Sequence, residues 1–254
     1  MPAVKRHKTH ILIPDLQVRS DIDYSHLEHI GNYIVDCQPD VIVQIGDWAD
    51  LPSLSSYDVG HATAEGKRFV DDIKSVRHSV DLLERPIRKY NARRRNKYQP
   101  RKVICLGNHE QRLLRHVNEH PHLIGLMTMD MFGFEQAGWE VHPFLKIVNI
   151  DGCEYTHYVQ SGGKKENAIT TAAGLLRKRH NSISVGHTQK LDIAIHAATH
   201  QIGLISGCAY THHETYAGEQ GDCSKRGIWR KNEMVRGVYD PMYISLGYLK
   251  RRWS

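Results

Sequence analysis

Five short stretches gather residue types able to hold a divalent cation: Asp15-Leu16-Gln17, Gly46-Asp47-Trp48-Ala49-Asp50, Gly107-Asn108-His109-Glu110, Thr156-His157-Tyr158 and Gly186-His187-Thr188-Gln189. Carboxylates and amide carbonyls are hard oxygen donors, and imidazoles suit transition metals. An imidazole is also a general acid or base near neutral pH. The chain has 18 histidines, so position has to decide which of them matter. Taken singly, Asp15 reads as a turn or helix cap and His157 as a half-buried strand histidine. Gln17 and Gln189 read as readily as water-facing side chains as ligands. His142, His196, His200, His212 and His213 have no motif to place them and read as surface residues, although His212-His213 could reach a substrate.

What joins the five stretches is that most of them end apolar runs. Residues 10–15, Val41-Ile42-Val43-Gln44-Ile45 and Val103-Ile104-Cys105-Leu106 are short, β-branched and nearly continuous, as expected of strands covered on both faces. Between them, Tyr24 to Cys37 and Phe69 to Ile87 carry apolar stripes at helical spacing, and Pro86 is expected to kink or end the second helix. Strand, helix, strand, helix, strand predicts parallel pairing with right-handed crossovers, so polar residues at the strand ends meet at one rim. Another helix is expected over residues 109–120, then a partly helical insertion or cap at 121–143. Leu145 to Ile150, the Asp151-Gly152 turn and Cys153 to Tyr158 predict a hairpin. A helix over Lys164 to His180 and strands over 182–186, 191–198, 202–206, 228–239 and 242–249 are expected to supply a second, mixed sheet.

In this order the five stretches resemble the signature of the calcineurin-like metallophosphoesterases, D-x-H, G-D-x-x-D, G-N-H-E, H and G-H-x-H, across residues 10 to 190. The pair G-D-x-x-D and G-N-H-E, each after an apolar strand, is the specific part. The resemblance implies a single α/β domain over 1–254, a two-sheet β-sandwich flanked by helices in four αββα layers. It also implies an enzyme that hydrolyses phosphate mono- or diesters by in-line attack of a metal-bound hydroxide. Carried over residue by residue, Asp15, Gln17, Asp47 and Gln189 would surround a first metal, and Asp47, Asn108, His157 and His187 a second. Asp47 would bridge two cations at the roughly 3.5–4 Å spacing of two-metal hydrolases. His109, oriented by Asp50, would act on the leaving group. Glycines before Asp47, Asn108 and His187 would let the backbone approach the ions.

The chain departs from the signature where Gln17 and Gln189 replace two histidines. An amide offers a hard carbonyl oxygen in place of a nitrogen, so manganese is favoured at that site, magnesium is acceptable, and zinc or iron is less suited. One or two divalent ions are therefore the expected cofactor. The other reading of the same departure is a scaffold or binding module that keeps the fold with weakened catalysis.

Bulk properties set the frame. A chain of 254 residues with 40% hydrophobic and 24% charged residues has the balance of a folded globular protein rather than a disordered one. No apolar run approaches a membrane span, and residues 1–10 do not read as a signal peptide, so a cytoplasmic setting without a membrane partner is expected. Five cysteines without a C-x-x-C pair predict free thiols. A formal charge of +6 favours anionic partners, a phosphate-ester substrate or nucleic acid among them. The basic stretches 88–102 and 250–252 are expected to be solvated helix ends. Substrate identity and oligomeric state have no signal in the sequence.

Overall fold

The three apolar runs form parallel strands β1 (Lys8–Ile13), β2 (Val41–Gln44) and β3 (Arg101–Cys105), linked by helices α1 (His26–Cys37) and α2 (Phe69–Ala92). The computed structural model describes residues 7–56, 65–162, 167–213 and 225–254; Cys223 and the expected helix start at Lys164 lie outside them. After β3 come α3 (Gln111–Glu119) and the segment 121–143. That segment carries two short 3-10 turns and the strand β4 (Glu140–His142), which pairs in parallel with β3. Its Phe132, Phe134 and Trp139 are buried in the core under α2.

The hairpin forms as β5 (Val148–Ile150) and β6 (Cys153–Tyr155), turning through Asp151 and Gly152, both at positive φ. Next come α4 (Ala172–Arg179), β7 (Ile183–Val185), β8 (Leu191–Ile195) and β9 (Ile202–Ser206). Last are β10 (Gly227–Val235), β11 (Val238–Ser245) and α5 (Leu246–Trp253). One sheet has six strands in the order β11-β10-β1-β2-β3-β4, and the other five in the order β5-β6-β7-β9-β8.

Three expectations need correction. The last two strands do not join the second sheet, because β10 pairs antiparallel with β1 and so completes the first. The strand expected to run to Leu249 stops at Ser245, whose Oγ accepts from the Tyr248 N–H and starts a helix instead. Of the helix expected over 164–180, the described residues 167–171 are not helical: Ala168 is bridged to Gln160, and α4 begins at Ala172, where Thr171 Oγ1 accepts from the Gly174 N–H.

Alternation along the strands builds the layers. Ile11, Ile13, Ile42 and Ile104 point toward α1 and α2, while Leu12, Val41, Val43, Val103 and Cys105 meet Cys153, Tyr155, Ile202 and Leu204 of the second sheet. On the far side Ile183, Val185 and Ile205 pack on Leu175 of α4. The result is a mixed α/β fold in which two face-to-face sheets are flanked by helices. No helix among the described residues is long and apolar enough to cross a membrane.

Pro86 does not end α2, which continues to Ala92. Its ring is buried where α1 passes close by at Gly31, and a Cβ on Gly31 would overlap the Leu83 carbonyl and lie 2.9 Å from Pro86 Cγ. Gly31→Ala is therefore expected to destabilise the fold by about 1–3 kcal/mol through overpacking. A lowered denaturation midpoint at constant m-value would show this, and an unchanged midpoint would mean the helices separate freely.

Candidate metal centre

The carboxyl ends of β1, β2, β3, β6 and β7 lie at one rim, and each of the five sequence stretches leaves the sandwich there. Asp47, only 1% exposed, lies at the middle of them. Its Oδ1 accepts from the His109 backbone N–H at 3.0 Å, and its Oδ2 lies 3.2 Å from His157 Nε2 and 3.8 Å from His109 Nε2. Asn108 Oδ1 faces His157 Nε2 at 2.9 Å and His187 Nδ1 at 2.8 Å. Among the described residues, Asp47, His157 and His187 are the group whose ligand atoms lie within 4.8 Å of one another.

Hydrogen bonding fixes what these atoms offer. His157 Nδ1–H donates to the Ile45 carbonyl at 3.0 Å, so its Nε2 is the nitrogen aimed at Asp47 and Asn108. Both of those neighbours present oxygen, so a proton or a cation has to lie between. Burial lowers the His157 pKa, but the Asp47 charge and hydrogen bond, with Asp15 and the Ile45 carbonyl, outweigh it and push it up to about 9. Burial and the His157 charge press His187 down to about 4, so it is neutral at pH 7. For Asp47, burial works to raise the pKa, but His109 and His157 hold the carboxyl well below the usual carboxylate range.

The other expected ligands are placed differently. Burial and the Asp47 charge push Asp15 up to about 7, against the pull of His157 and of the His187 N–H that its two oxygens accept at 3.2 and 3.1 Å. Gln17 does not face water; it is 1% exposed, and its Oε1 is buried without a hydrogen-bond donor. An orphaned buried carbonyl oxygen costs about 1–3 kcal/mol unless something satisfies it, and a hard cation would. Gln189 is half-buried and turned to Tyr210, whose hydroxyl donates to its Oε1 at 2.7 Å.

His109 and Asp50 meet directly, with Nδ1–H donating to Asp50 Oδ1 at 2.8 Å. Burial lowers the His109 pKa, but the Asp47 charge and the Asp50 hydrogen bond leave it raised. Burial would raise the Asp50 pKa, yet the His109 hydrogen bond and charge, then Arg112 and Arg19, lower it. Of the glycines, Gly46 itself has φ 101°, whereas a Cβ on Gly107 would overlap Asp47 Oδ1 and one on Gly186 would overlap Asp15 Oδ1. The last two are needed mainly for close packing against the carboxylates.

Sequence reasoning gave no role to three residues that organise the rim. Glu110, fully buried, accepts the backbone N–H of Asp47 (3.0 Å), Gly107 (2.7 Å) and Ala49 (2.8 Å), and so holds two of the loops together. Burial and the Asp47 charge raise its pKa. Trp48 anchors the same loop from below, with Nε1–H donating to Ser79 Oγ and its ring against Phe134 and Trp139. Arg112 donates to the Asp50 carbonyl and to His109 Nε2. For Glu110 the available signal was its place as the last residue of the G-N-H-E stretch, directly after the histidine.

Compared with models of known protein families, the chain matches none. It is 28% identical over 193 residues to the Gene 54 protein of Mycobacterium phage L5, covering 73% of this chain and 71% of that one. The Gene 54 protein of Mycobacterium phage D29 is 27% identical over the same shares. Among solved structures, TT1561 of Thermus thermophilus superposes with a TM-score of 0.41 at 8% identity, covering 94% of this chain and 99% of that one. Another solved chain gives 0.47 at 12% identity, over 94% and 100%. The order and pairing of the strands define the fold without help from these two superpositions.

Two outcomes are expected from this geometry. Glu110→Gln should weaken divalent-cation binding by about tenfold or more, because it orients the loop that presents Asp47; calorimetric titration would read it, and unchanged affinity would remove Glu110 from the centre. The second concerns pH. With folded pKa values raised from 6.5 to about 9 at His157 and from 3.8 to about 7 at Asp15, the native state binds protons that the unfolded chain releases. The contributions are complete below pH 6.5 and 3.8 respectively, and are lost as pH rises through 9 and 7. The metal-free protein should therefore lose Tm from pH 6.5 to 9, and a saturating divalent cation should flatten the slope by replacing the proton. A metal-free Tm that rises over this interval would contradict the assignment.

Proposed function

We propose that the chain is a metal-dependent phosphoesterase of the calcineurin-like metallophosphoesterase family, hydrolysing phosphate mono- or diesters. The observation that carries this reading is the convergence of Asp47, Asn108, His157 and His187 on one point, with the Asp50–His109 pair beside it. Two oxygens and two imidazole nitrogens suit a divalent transition metal, and the buried, donor-less Oε1 of Gln17 suits a harder ion next to it. Such a cation would supply Lewis acidity toward a phosphoryl oxygen and a more acidic water.

The protein's own part is orientation and proton transfer. Asp50 fixes the His109 tautomer, so that Nε2 is the nitrogen turned toward the Asp47 side of the centre. From there a protonated Nε2 can deliver its proton to the leaving oxygen as the phosphorus–oxygen ester bond breaks. Manganese or magnesium fits the amide-bearing side best, since Gln17 offers only oxygen there. The basic charge of the chain is compatible with nucleotide or nucleic-acid substrates.

A metal-by-substrate matrix tests this reading: manganese, magnesium, zinc and iron against a chromogenic monoester, a chromogenic diester, and single- and double-stranded DNA. Turnover is expected with manganese above zinc, with kcat falling by about 10²–10⁴ in His109→Ala and vanishing in Asp47→Asn. No turnover with any metal on any ester would refute the enzyme and favour a metal-binding scaffold.

A further inference from the structure

Arg112 sits in the first turn of α3, three residues after His109. Its Nη1 donates to the Asp50 carbonyl at 2.8 Å and lies 3.6 Å from the Asp50 carboxylate. Its Nη2 donates to His109 Nε2 at 3.2 Å, the ring nitrogen that lies 3.8 Å from Asp47 Oδ2. A neutral imidazole nitrogen is a weaker acceptor for a guanidinium than an anionic phosphate oxygen, which the planar fork matches with charge-assisted bonds on both partners. The side chain is 13% exposed, so an oxygen reaching it would be largely withdrawn from water. With Nη1 anchored on the Asp50 backbone, the planar fork points Nη2 in a fixed direction at the place where His109 meets the centre.

Arg19 provides the comparison. Its Nη1 donates to the same Asp50 carboxylate at 3.4 Å and its Nε pairs with Asp21 at 2.9 Å. Both arginines thus balance Asp50, but the contact to the His109 ring belongs to Arg112.

We propose that Arg112 binds a non-bridging oxygen of the substrate phosphate, its Nη2 exchanging the His109 nitrogen for that oxygen and leaving His109 Nε2 facing the ester. This assignment rests on the phosphoesterase reading of the centre and adds a phosphate-contacting residue to it. The fork holds the phosphate against the histidine, and the negative charge of the phosphoryl group completes the hydrogen bonding of the guanidinium.

The test titrates inorganic phosphate calorimetrically into the manganese-loaded protein and into Arg112→Ala, Arg112→Lys and Arg19→Ala. Arg112→Ala is expected to weaken phosphate by about tenfold, Arg112→Lys to recover only part of the loss, and Arg19→Ala to stay within about threefold of the parent. Added guanidinium ion should partly restore the affinity of Arg112→Ala, which a fold defect would not allow. Equal loss in Arg19→Ala and Arg112→Ala would show that both only neutralise Asp50, and that result, unchanged affinity in Arg112→Ala, or no phosphate binding to the parent overturns the assignment. Arg112-dependent phosphate binding without turnover on any ester would sink the hydrolase reading and keep Arg112 only as a phosphate-binding residue. Turnover with phosphate affinity indifferent to Arg112 would do the reverse.

Discussion

The rim is organised around one buried anion. Asp47 uses every polar group it has to join separate loops: its carbonyl accepts the N–H groups of Leu16 and Gln17, its own N–H goes to Glu110, and its carboxylate takes the His109 N–H and faces His157. A carboxylate so far from water is costly unless positive charge lies against it. His109 and His157 place that charge against it and hold the carboxyl well below the usual carboxylate range. Both imidazoles lie against the Asp47 carboxylate, and Gly107 leaves the room its Oδ1 occupies.

The backbone bears part of this cost. Gln17, Asp47, His187 and Gln189 all adopt left-handed φ values, 44°, 51°, 68° and 55°, although none is glycine. Each such residue stores about 1–3 kcal/mol of local strain. That strain is sustained because the strands below are fixed on both faces, by Ile11, Ile13 and Ile42 against the helices and by Leu12, Val41 and Val43 against the second sheet. A rigid sandwich lets these loops hold side chains in directions that isolated turns would relax out of.

Much of this was legible in the sequence, because the signals are local. Continuous β-branched runs announced β1, β2 and β3, helical stripes announced α1 and α2, and the residues closing the runs named the side chains that meet at the rim. What stayed illegible is non-local or ambiguous by pattern. Nothing in residues 227–245 states that they pair with β1 and not with β9, since either sheet would bury the same alternation. Leu246-Gly247-Tyr248-Leu249 continues a strand-like pattern, and only the Ser245 cap and the basic last turn distinguish it from one. Lys231 shows the same limit: its charge suggests surface, yet it is fully buried between the sheets, donating to Ser184 Oγ and Tyr155 OH with two tyrosine rings around it. The roles of Glu110 and Arg112 depend on which backbone groups and ring nitrogens come within reach, which spacing along a chain does not reveal.

The pairing of β10 with β1 also imposes an order of events. The first of these strands to leave the ribosome has to wait for β10 before its outer edge is covered, whereas the Asp15 loop at its end is tied to the earlier Cys208 and Ala209. Long-separation contacts of this kind form slowly and leave an open strand edge meanwhile. A nascent chain halted before residue 227 would therefore hold Cys208 and Ala209 against Asp15 yet leave the outer edge of β1, the strand that ends two residues before it, without its antiparallel neighbour.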